Sequence, residues 1–381
     1  MTGRLQEKNG NWYLILNTYD STGKRKLKWI STGLPVKGNK KRAEKLLQDA
    51  IREHDQQEGL ATSDITFADY IRVWLQYVQR KVDSVTYQGY LALANVHLLP
   101  YFDGKGNKLQ ELTREQIQAY IDEKAHNGRC DGKGGLSYSS MKLHKNIINQ
   151  TCNLAVQKKL LFKSPCEFIL LPQAKKLEYS FYTSEQMQQL FEVTKNDPMH
   201  NLIRITALYG LRRSEVLGIK WNSINFDSDM LTIKHTVCKV TTVVEKDKTK
   251  NASSHRSFPL LPEAKAVFER IKVEQEQNAQ VFGQDYHKSD YVFTWNDGRP
   301  FSPDYVSQHF AHLLKKHELP HIRFHELRHS CASILISMGF TLKDIQEWLG
   351  HSDIKMTANI YSHLDVERKK SMAERLSEKL A

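Results

Sequence analysis

The sequence predicts a multidomain, mainly α-helical protein that carries a small α+β unit at its N-terminus and a small antiparallel sheet in its C-terminal half. The chain has 381 residues, which is typical of two or three domains, and 40% of them are hydrophobic, which is enough for buried cores. Apolar residues recur at helical spacing through most of the sequence after residue 63. Short alternating patterns, which are typical of strands, occur within residues 12–32 and 230–260.

The first 62 residues are predicted to form a three-stranded sheet followed by one helix. Two strands are expected at 12–16 and 24–29, on either side of an Asp-Ser-Thr-Gly turn, and a short third strand near 30–32. Apolar residues at helical spacing predict the helix over 40–53.

The second strand of this unit carries a row of lysines. Its alternating pattern predicts Lys24, Lys26 and Lys28 on one face of the sheet, with Leu27 and Trp29 on the other. A sheet with one lysine face can rest against phosphates or enter a groove of a nucleic acid. The three lysines are therefore candidate DNA contacts, and a solvated strand edge is the alternative interpretation.

Residues 63–172 are predicted to form a helical domain that ends in a proline-containing linker. Capping-box patterns at Thr66–Asp69 and Thr113–Gln116 predict helix starts, and apolar residues at helical spacing follow both. Lys142 and Lys145 belong to the last predicted helix of this domain. They are candidate DNA contacts as well, with a solvated helix face as the alternative.

The charge of the chain indicates a polyanionic partner. Lys+Arg number 55 against 43 Asp+Glu, a net charge of +12 that is spread along the sequence. The five cysteines are odd in number and form no Cys-x-x-Cys pair, which is typical of free thiols in a reducing compartment. Because no apolar run approaches the length of a membrane span and the N-terminus lacks a signal peptide's apolar region, we expect a cytoplasmic protein with no membrane partner.

Residues 325–329, His-Glu-Leu-Arg-His, support two incompatible chemistries. As a His-Glu-x-x-His helix they would hold zinc between two histidines, with Glu326 as the base and His351 as a third ligand. As His-x-x-Arg they place the His325 imidazole and the Arg328 guanidinium one helical turn apart, which suits a phosphate. In the zinc site Arg328 would put a cation beside the metal. The phosphate interpretation is therefore favoured, no metal is expected, and a zinc metallohydrolase is kept as the remote alternative.

Further elements of the C-terminal half make the phosphate interpretation specific. Arg212 lies in a Gly-Leu-Arg-Arg-Ser-Glu segment, and Lys248 lies at the mouth of a predicted β-hairpin that leads to Arg-x-x-Pro-Leu at 256–260. His351 follows Leu-Gly, and Tyr361 comes ten residues later. Together with His-x-x-Arg, this order resembles the tyrosine recombinase (phage integrase) family, most closely the integrases of conjugative transposons and temperate phages.

The resemblance implies three domains and an activity. Residues 1–62 would be an arm-type DNA-binding domain, 63–172 a helical core-binding domain with its linker, and 173–381 a mostly helical catalytic domain with a small antiparallel sheet and a tail helix. The implied activity is site-specific DNA recombination, which integrates and excises a mobile element through a 3′-phosphotyrosine and a Holliday junction. The family needs neither a metal, another cofactor nor ATP for this reaction.

The resemblance also implies partners. These are double-stranded DNA at core and arm sites, a homotetramer on two paired DNA sites, an accessory excision factor and a host DNA-bending protein. A type IB topoisomerase shares the same chemical groups and is the alternative enzyme class, but the basic N-terminal sheet and the charged tail argue against it. A non-enzymatic DNA-binding regulator would explain the charge but not the ordered set of site residues.

The nucleophile and its clamp are assigned from chemistry and from the resemblance. Tyr361 would attack a backbone phosphate, and because a phenol normally loses its proton near pH ~10, it must be activated as it attacks. Arg212 and Arg328 would clamp the two non-bridging oxygens of that phosphate, since guanidinium groups bind such oxygens in a fixed geometry and stay charged.

Proton transfer is assigned to the remaining groups. His325 and His351 would donate hydrogen bonds or shuttle protons. Lys248 would protonate the leaving 5′-oxygen, as the hairpin lysine of the family does. Lys246 and Lys250 stay as alternatives for that role, because this hairpin is longer than usual.

Overall fold

The computed structural model describes most of the chain as two compact units, Met1–Lys176 and Leu177–Ala381. The described residues are 2–19, 25–58, 60, 63–174, 180–239, 243–246, 256–350, 373, 376–378 and 380. The mainly helical class with small antiparallel sheets is confirmed. The predicted boundary at residue 62 stays a prediction. Within the described ranges, every helix is too short or too polar to cross a bilayer.

The N-terminal sheet has three antiparallel strands in the order β1-β2-β3, and a helix packs against one face. These elements are β1 (Gly3–Lys8), β2 (Asn11–Tyr19), β3 (Arg25–Pro35) and α1 (Lys40–Glu58). Leu14 and Leu16 of β2 are buried against Leu47 of α1. The predicted sheet and helix are confirmed, but residues 30–32 belong to β3, and the third strand is β1. The pattern does not predict β1, because Leu5 is its only large apolar residue.

The predicted alternation along β3 is confirmed, but the face that carries Lys28 is the one that α1 contacts. Leu16 lies opposite Lys28 and Ile15 lies opposite Trp29, and residues directly opposite each other share a face. Lys28 is therefore on the face that α1 covers in part, and it remains exposed at the edge of that contact. Leu27 and Trp29 lie on the other face, where both are about half exposed rather than buried in a core.

The rest of the first unit is a bundle of helices around its own core. It contains α2 (Phe67–Gln79), α3 (Ser84–Leu93), a π-helical turn (Ala94–Leu98), α4 (Leu99–Lys105), α5 (Arg114–Asn127) and α6 (Tyr138–Gln157). The Thr66 side chain accepts from the Asp69 amide, and Thr113 and Gln116 form a complete capping box, as predicted. The helical segment that begins with α3 continues through the π-helical turn into α4, whose first turn accommodates Pro100.

The described residues of the second unit form seven helices and five short strands. Most of the buried apolar side chains belong to one large core, and α12 and α13 add a small second cluster. The helices are α7 (Ser184–Val193), α8 (His200–Tyr209), α9 (Arg213–Val216), α10 (Pro262–Phe282), α11 (Pro303–Lys316), α12 (Glu326–Ser337) and α13 (Leu342–Leu349). The strands are β4 (Ile224–Asn225), β5 (Met230–Ile233), β6 (Thr236–Lys239), β7 (Val243–Lys246) and β8 (Arg256–Pro259). β4, β5 and β8 form one antiparallel sheet, and β6 pairs with β7 in a separate hairpin.

The ends of α8 and α13 meet inside this unit. Gly210 ends α8 with a φ of 59°, and Gly350 ends α13 with a φ of 66°, both in the left-handed conformation that favours glycine. A Cβ added at Gly210 would lie 2.3 Å from Cδ2 of Leu349 and 3.2 Å from Sγ of Cys331. Gly210 therefore permits both the turn after α8 and the close approach of α12 and α13.

We predict that Gly210→Ala lowers the free energy of unfolding by about 2–4 kcal/mol. Alanine is strained in the left-handed backbone conformation, and its Cβ would overlap with Leu349. Urea unfolding of the full chain measures this loss. Gly89→Ala is the control, because Gly89 lies within α3 and a Cβ there meets open space. The control should be neutral or slightly stabilising. Equal stability of the two variants would contradict the packing argument.

Candidate functional site

Arg212 is held at the start of α9, directly after the turn at Gly210. Its backbone N–H donates to Oε2 of Glu215 at 2.9 Å, and its Nη1 donates to Oε1 of the same carboxylate at 2.5 Å. Its Nη2 donates to the Gly350 carbonyl at 3.2 Å. The side chain is 29% exposed, so the guanidinium is anchored by protein and still open to solvent.

Arg328 is buried beside it, with 1% of its side chain exposed. Nη1 donates to the Gly210 carbonyl at 2.8 Å, and Nη2 donates to the Leu349 carbonyl at 2.6 Å. Both carbonyls lie at helix C-termini, where the helix dipole favours a cation. Burial, and then the charge of Arg212, lower the pKa of Arg328 to about 9, so the guanidinium keeps its charge at neutral pH.

Glu215 is the carboxylate that these cations share. It is 2% exposed and accepts from Arg256 as well as from Arg212, with Arg328 Nη1 4.0 Å from Oε2. Burial alone raises the pKa of the carboxyl group, but hydrogen bonds and charges from Arg256 and Arg212 outweigh burial and hold it at about 2. Among the described residues, this point of the unit brings together three guanidinium groups and one carboxylate.

His325 lies at the N-cap of α12, one helical turn before Arg328. It keeps an exposed surface. Loss of hydration on its packed side, followed by the charges of His329, Arg328 and Arg212, lowers its pKa to about 4. The imidazole is therefore neutral at pH 7 and can accept or donate a proton beside the arginines.

The described residues bring together three of the six site residues that the sequence predicts: Arg212, His325 and Arg328. Lys248, His351 and Tyr361 lie outside the described residues. Gly350, the last described residue before His351, accepts a hydrogen bond from Arg212.

Two other arginines in this region bind protein groups. Arg213 Nη1 donates to the Pro303 carbonyl and the Ser307 hydroxyl of α11. Arg256 was not singled out, although it belongs to the Arg-x-x-Pro-Leu sequence, and it binds Glu215. No local pattern signals this contact, because 40 residues of chain separate the two partners in the sequence.

The contacts of Glu326, which would be the base of a zinc site at residues 325–329, do not support the zinc interpretation. Glu326 is buried, and its Oε1 accepts from Arg323 Nη2 at 2.8 Å, so the carboxylate is already part of an ion pair. Among the described residues, no group of three His, Cys, Asp or Glu side chains could hold a metal ion. Glu326 therefore has the structural role that its position at the start of α12 favours.

The candidate DNA-contacting lysines fall into three situations. Lys26 and Lys28 are exposed on β3, and Lys142 is exposed on α6. The Lys145 ammonium is half-buried and donates to the Ile169 carbonyl at 2.8 Å. This hydrogen bond connects α6 to the segment that follows it. Lys24 lies outside the described residues.

Two family models match the chain. The phage integrase family matches residues 180–368, and the phage integrase N-terminal SAM-like domain matches residues 66–125. A tyrosine recombinase XerC-like protein of Caldanaerobacter subterraneus subsp. tengcongensis is 28% identical over 340 residues, which cover 83% of each chain. The ICEBs1 integrase of Bacillus subtilis is 26% identical over 355 residues, which cover 91% of this chain and 92% of that protein.

Solved structures share the fold. The Tn1549 transposon integrase in complex with a circular intermediate DNA has a TM-score of 0.67 and 19% identity, over 82% of this chain and 99% of that one. A lambda integrase tetramer bound to a Holliday junction has a TM-score of 0.60 and 15% identity, over 93% of this chain and 94% of that one.

We predict that Glu215→Gln lowers the free energy of unfolding at pH 7 by about 3–5 kcal/mol, because buried guanidinium groups lose their counter-charge. The folded pKa of about 2 lies below the unfolded value of 4.5, so this stabilisation is present above pH 4.5 and is lost as the pH falls toward 2. Urea unfolding between pH 7 and pH 3 should therefore show the wild-type advantage shrinking below about pH 4.5.

Glu192→Gln is the matched control, because Glu192 pairs with Lys195 on an exposed surface. Its effect should stay below about 1 kcal/mol at every pH. A Glu215→Gln protein as stable as the control at pH 7 would contradict the central role of this carboxylate.

Proposed function

This chain belongs to the phage integrase family and is a tyrosine recombinase, and we propose that it breaks and rejoins DNA with Tyr361 in a site built on Arg212 and Arg328. The observation that carries this proposal is the convergence of the two arginines on one buried carboxylate at the ends of α8 and α13. These arginines come from segments that are more than a hundred residues apart in sequence. Such an arrangement suits an anion that carries more charge in the transition state than in the ground state.

The arginines would act on the scissile phosphate. A phosphodiester is already anionic and gains charge as the fifth oxygen approaches phosphorus, so fixed guanidinium donors stabilise the transition state most. Arg212 would contact one non-bridging oxygen from its exposed side. Arg328 is more deeply placed, and its positive charge would add to the potential at the same oxygens.

The covalent step would join the phenolic oxygen of Tyr361 to phosphorus as the bond between phosphorus and the 5′-oxygen breaks. The phenolic proton would pass to the imidazole of His325 or of His351. The imidazole of His325 is neutral at pH 7, as a proton acceptor must be. Lys248, or one of its neighbours Lys246 and Lys250, would give a proton to the leaving 5′-oxygen. The phosphotyrosine keeps the energy of the broken bond, so a second 5′-hydroxyl can reverse the step without ATP.

Contacts with DNA outside the site are assigned to the first unit. The N-terminal sheet would bind arm sites, with Lys24, Lys26 and Lys28 at phosphates, and α6 would approach core DNA through Lys142. Phosphate contacts of this kind position a protein without reading sequence. Lys145 would support α6 indirectly, through its hydrogen bond to Ile169.

A homotetramer on two paired DNA sites would exchange tails between protomers, with an accessory excision factor and a host DNA-bending protein as further partners. The acceptor for the tail would be an apolar groove of about 600 Å³ between α7, α8, α12 and α13. Met338 lines this groove, and within the described part of the chain the indole N–H of Trp348, another lining residue, has no acceptor. Leu376 and Leu380 are exposed and lie four residues apart, as the apolar stripe of a docking helix does.

We predict that a nicked suicide DNA substrate carrying the element ends traps a covalent adduct at Tyr361, and that Tyr361→Phe abolishes it. Arg212→Ala should slow adduct formation by roughly 10²–10³-fold, the effect of losing one transition-state donor. The matched control is Arg213→Ala, which removes an arginine that binds α11 instead of Glu215. Gel analysis and mass spectrometry of the adduct measure both effects. An adduct on a different residue, or none with cognate ends, would contradict the proposed site.

We predict that deletion of residues 367–381 reduces complete recombination by about tenfold or more and leaves first-strand cleavage within a few-fold of wild type, because apolar burial between protomers is lost. Met338→Glu, which places a charge in the groove, should have the same effect. Val281→Glu is the control, since Val281 is also an exposed apolar residue but lies on α10, outside the groove. Equal losses of cleavage and recombination would count against tail exchange.

A further inference from the structure

Arg256, the first residue of β8, binds the same carboxylate as the arginine pair and also contacts α13 and an aromatic ring. Its Nη1 and Nη2 donate to Oε1 and Oε2 of Glu215 at 3.2 and 3.0 Å, a bidentate pair. Its Nε donates to the Trp348 carbonyl at 3.1 Å, and its guanidinium carbon lies 5.1 Å from the ring centroid of Phe258. The side chain is 8% exposed, so Arg256 is placed to organise protein groups and not to bind DNA directly.

These contacts join three parts of the chain that the reaction needs. Glu215 belongs to α9, which begins at Arg212. Trp348 belongs to the last turn of α13, which ends just before Gly350, and Gly350 accepts from Arg212. β8 follows in sequence the segment that contains Lys248. One planar guanidinium therefore links the start of α9, the end of α13 and the strand after the lysine segment.

We propose that Arg256 is a positioning residue for strand cleavage. By binding Glu215, Arg256 would prevent this carboxylate from pulling the Arg212 guanidinium away from the phosphate. This proposal rests on the proposed function. Pairs of a carboxylate and an arginine are frequently bidentate, which adds both energy and geometric specificity. In the structure, it is Arg256 that makes the bidentate pair with Glu215. Arg212 donates through Nη1 to Oε1 and directs Nη2 to the Gly350 carbonyl.

A lysine at this position cannot replace the arginine. The guanidinium presents donors in a fixed fork, and here the fork reaches two carboxylate oxygens and one carbonyl at once. A lysine ammonium is a point charge on a flexible stem and would keep the charge but lose this arrangement. Glu215 would then be free to rotate toward Arg212, and a displacement of a clamp by about 1 Å can slow a reaction roughly 10²-fold.

The test compares wild type, Arg256→Lys and Arg256→Gln in the full chain on the nicked suicide substrate. For Arg256→Lys we expect adduct formation at saturating DNA to be about 10- to 100-fold slower, with the DNA dissociation constant and the melting temperature close to wild type. Arg256→Gln should be slower still, because it also removes the charge. Arg213→Lys is the matched control, since Arg213 is a half-buried arginine that binds a carbonyl and a hydroxyl outside the cluster, and it should cleave at the wild-type rate.

A double-mutant cycle identifies the route of the effect. If Arg256 acts through Arg212, adding Arg256→Lys to Arg212→Ala should cause little further loss of cleavage rate. Additive losses would overturn the proposal, and so would an Arg256→Lys rate equal to wild type, or a fall in rate that only parallels a fall in melting temperature. Failure of the wild-type protein to form any adduct would instead overturn the proposed function, so the two failures are distinguishable.

Discussion

The second unit depends on one buried negative charge. Glu215 allows Arg212, Arg256 and Arg328 to lie within a few ångströms of each other, although the last two are almost fully removed from water. A buried cation without a partner is strongly unfavourable, and two of them side by side would repel each other. The carboxylate compensates for part of this charge. Arg212 keeps an exposed side, and in the proposed reaction a DNA phosphate would add a negative charge there.

Backbone geometry supplies the rest of the compensation. α8 and α13 both end at glycines in the left-handed conformation, and the carbonyls of Gly210, Leu349 and Gly350 point toward the arginines. Carbonyl groups at helix ends carry partial negative charge and cannot move independently of their helices. The guanidinium groups are consequently fixed by packing before any substrate binds. This preorganisation is what makes electrostatic stabilisation of a transition state effective, because little reorganisation remains to be done during the reaction.

Much of this arrangement could be predicted from local signals. The capping box at Thr113 and the one-turn spacing between His325 and Arg328 depend on residues three positions apart, which a helix brings together wherever it lies. The role of Arg256 could not be predicted in this way, because its partners are set by tertiary packing and not by a local pattern. The contacts of Arg213 with Pro303 and Ser307 could not be predicted either, because these partners lie about 90 residues away in sequence. β1 was missed because backbone pairing with β2 holds it, and its single large apolar residue gives no strand pattern.

The charge of this site is nearly independent of pH across the range in which cells work. The pKa of Glu215 lies at about 2, that of His325 at about 4 and that of Arg328 at about 9, so none of these groups changes charge between about pH 5 and pH 8. The causes differ between the three groups. Hydrogen bonds and charges from Arg256 and Arg212 hold the pKa of Glu215 low against the effect of burial, whereas burial lowers the pKa of His325 and lowers that of Arg328 only to a value still above this range. A pH dependence of strand cleavage within that range would therefore arise from groups outside the arginine cluster. In the proposed mechanism, the phenol of Tyr361 and the lysine that would protonate the leaving oxygen are the groups that give up a proton. The clamp would hold the phosphate with the same strength while these two groups set the rate.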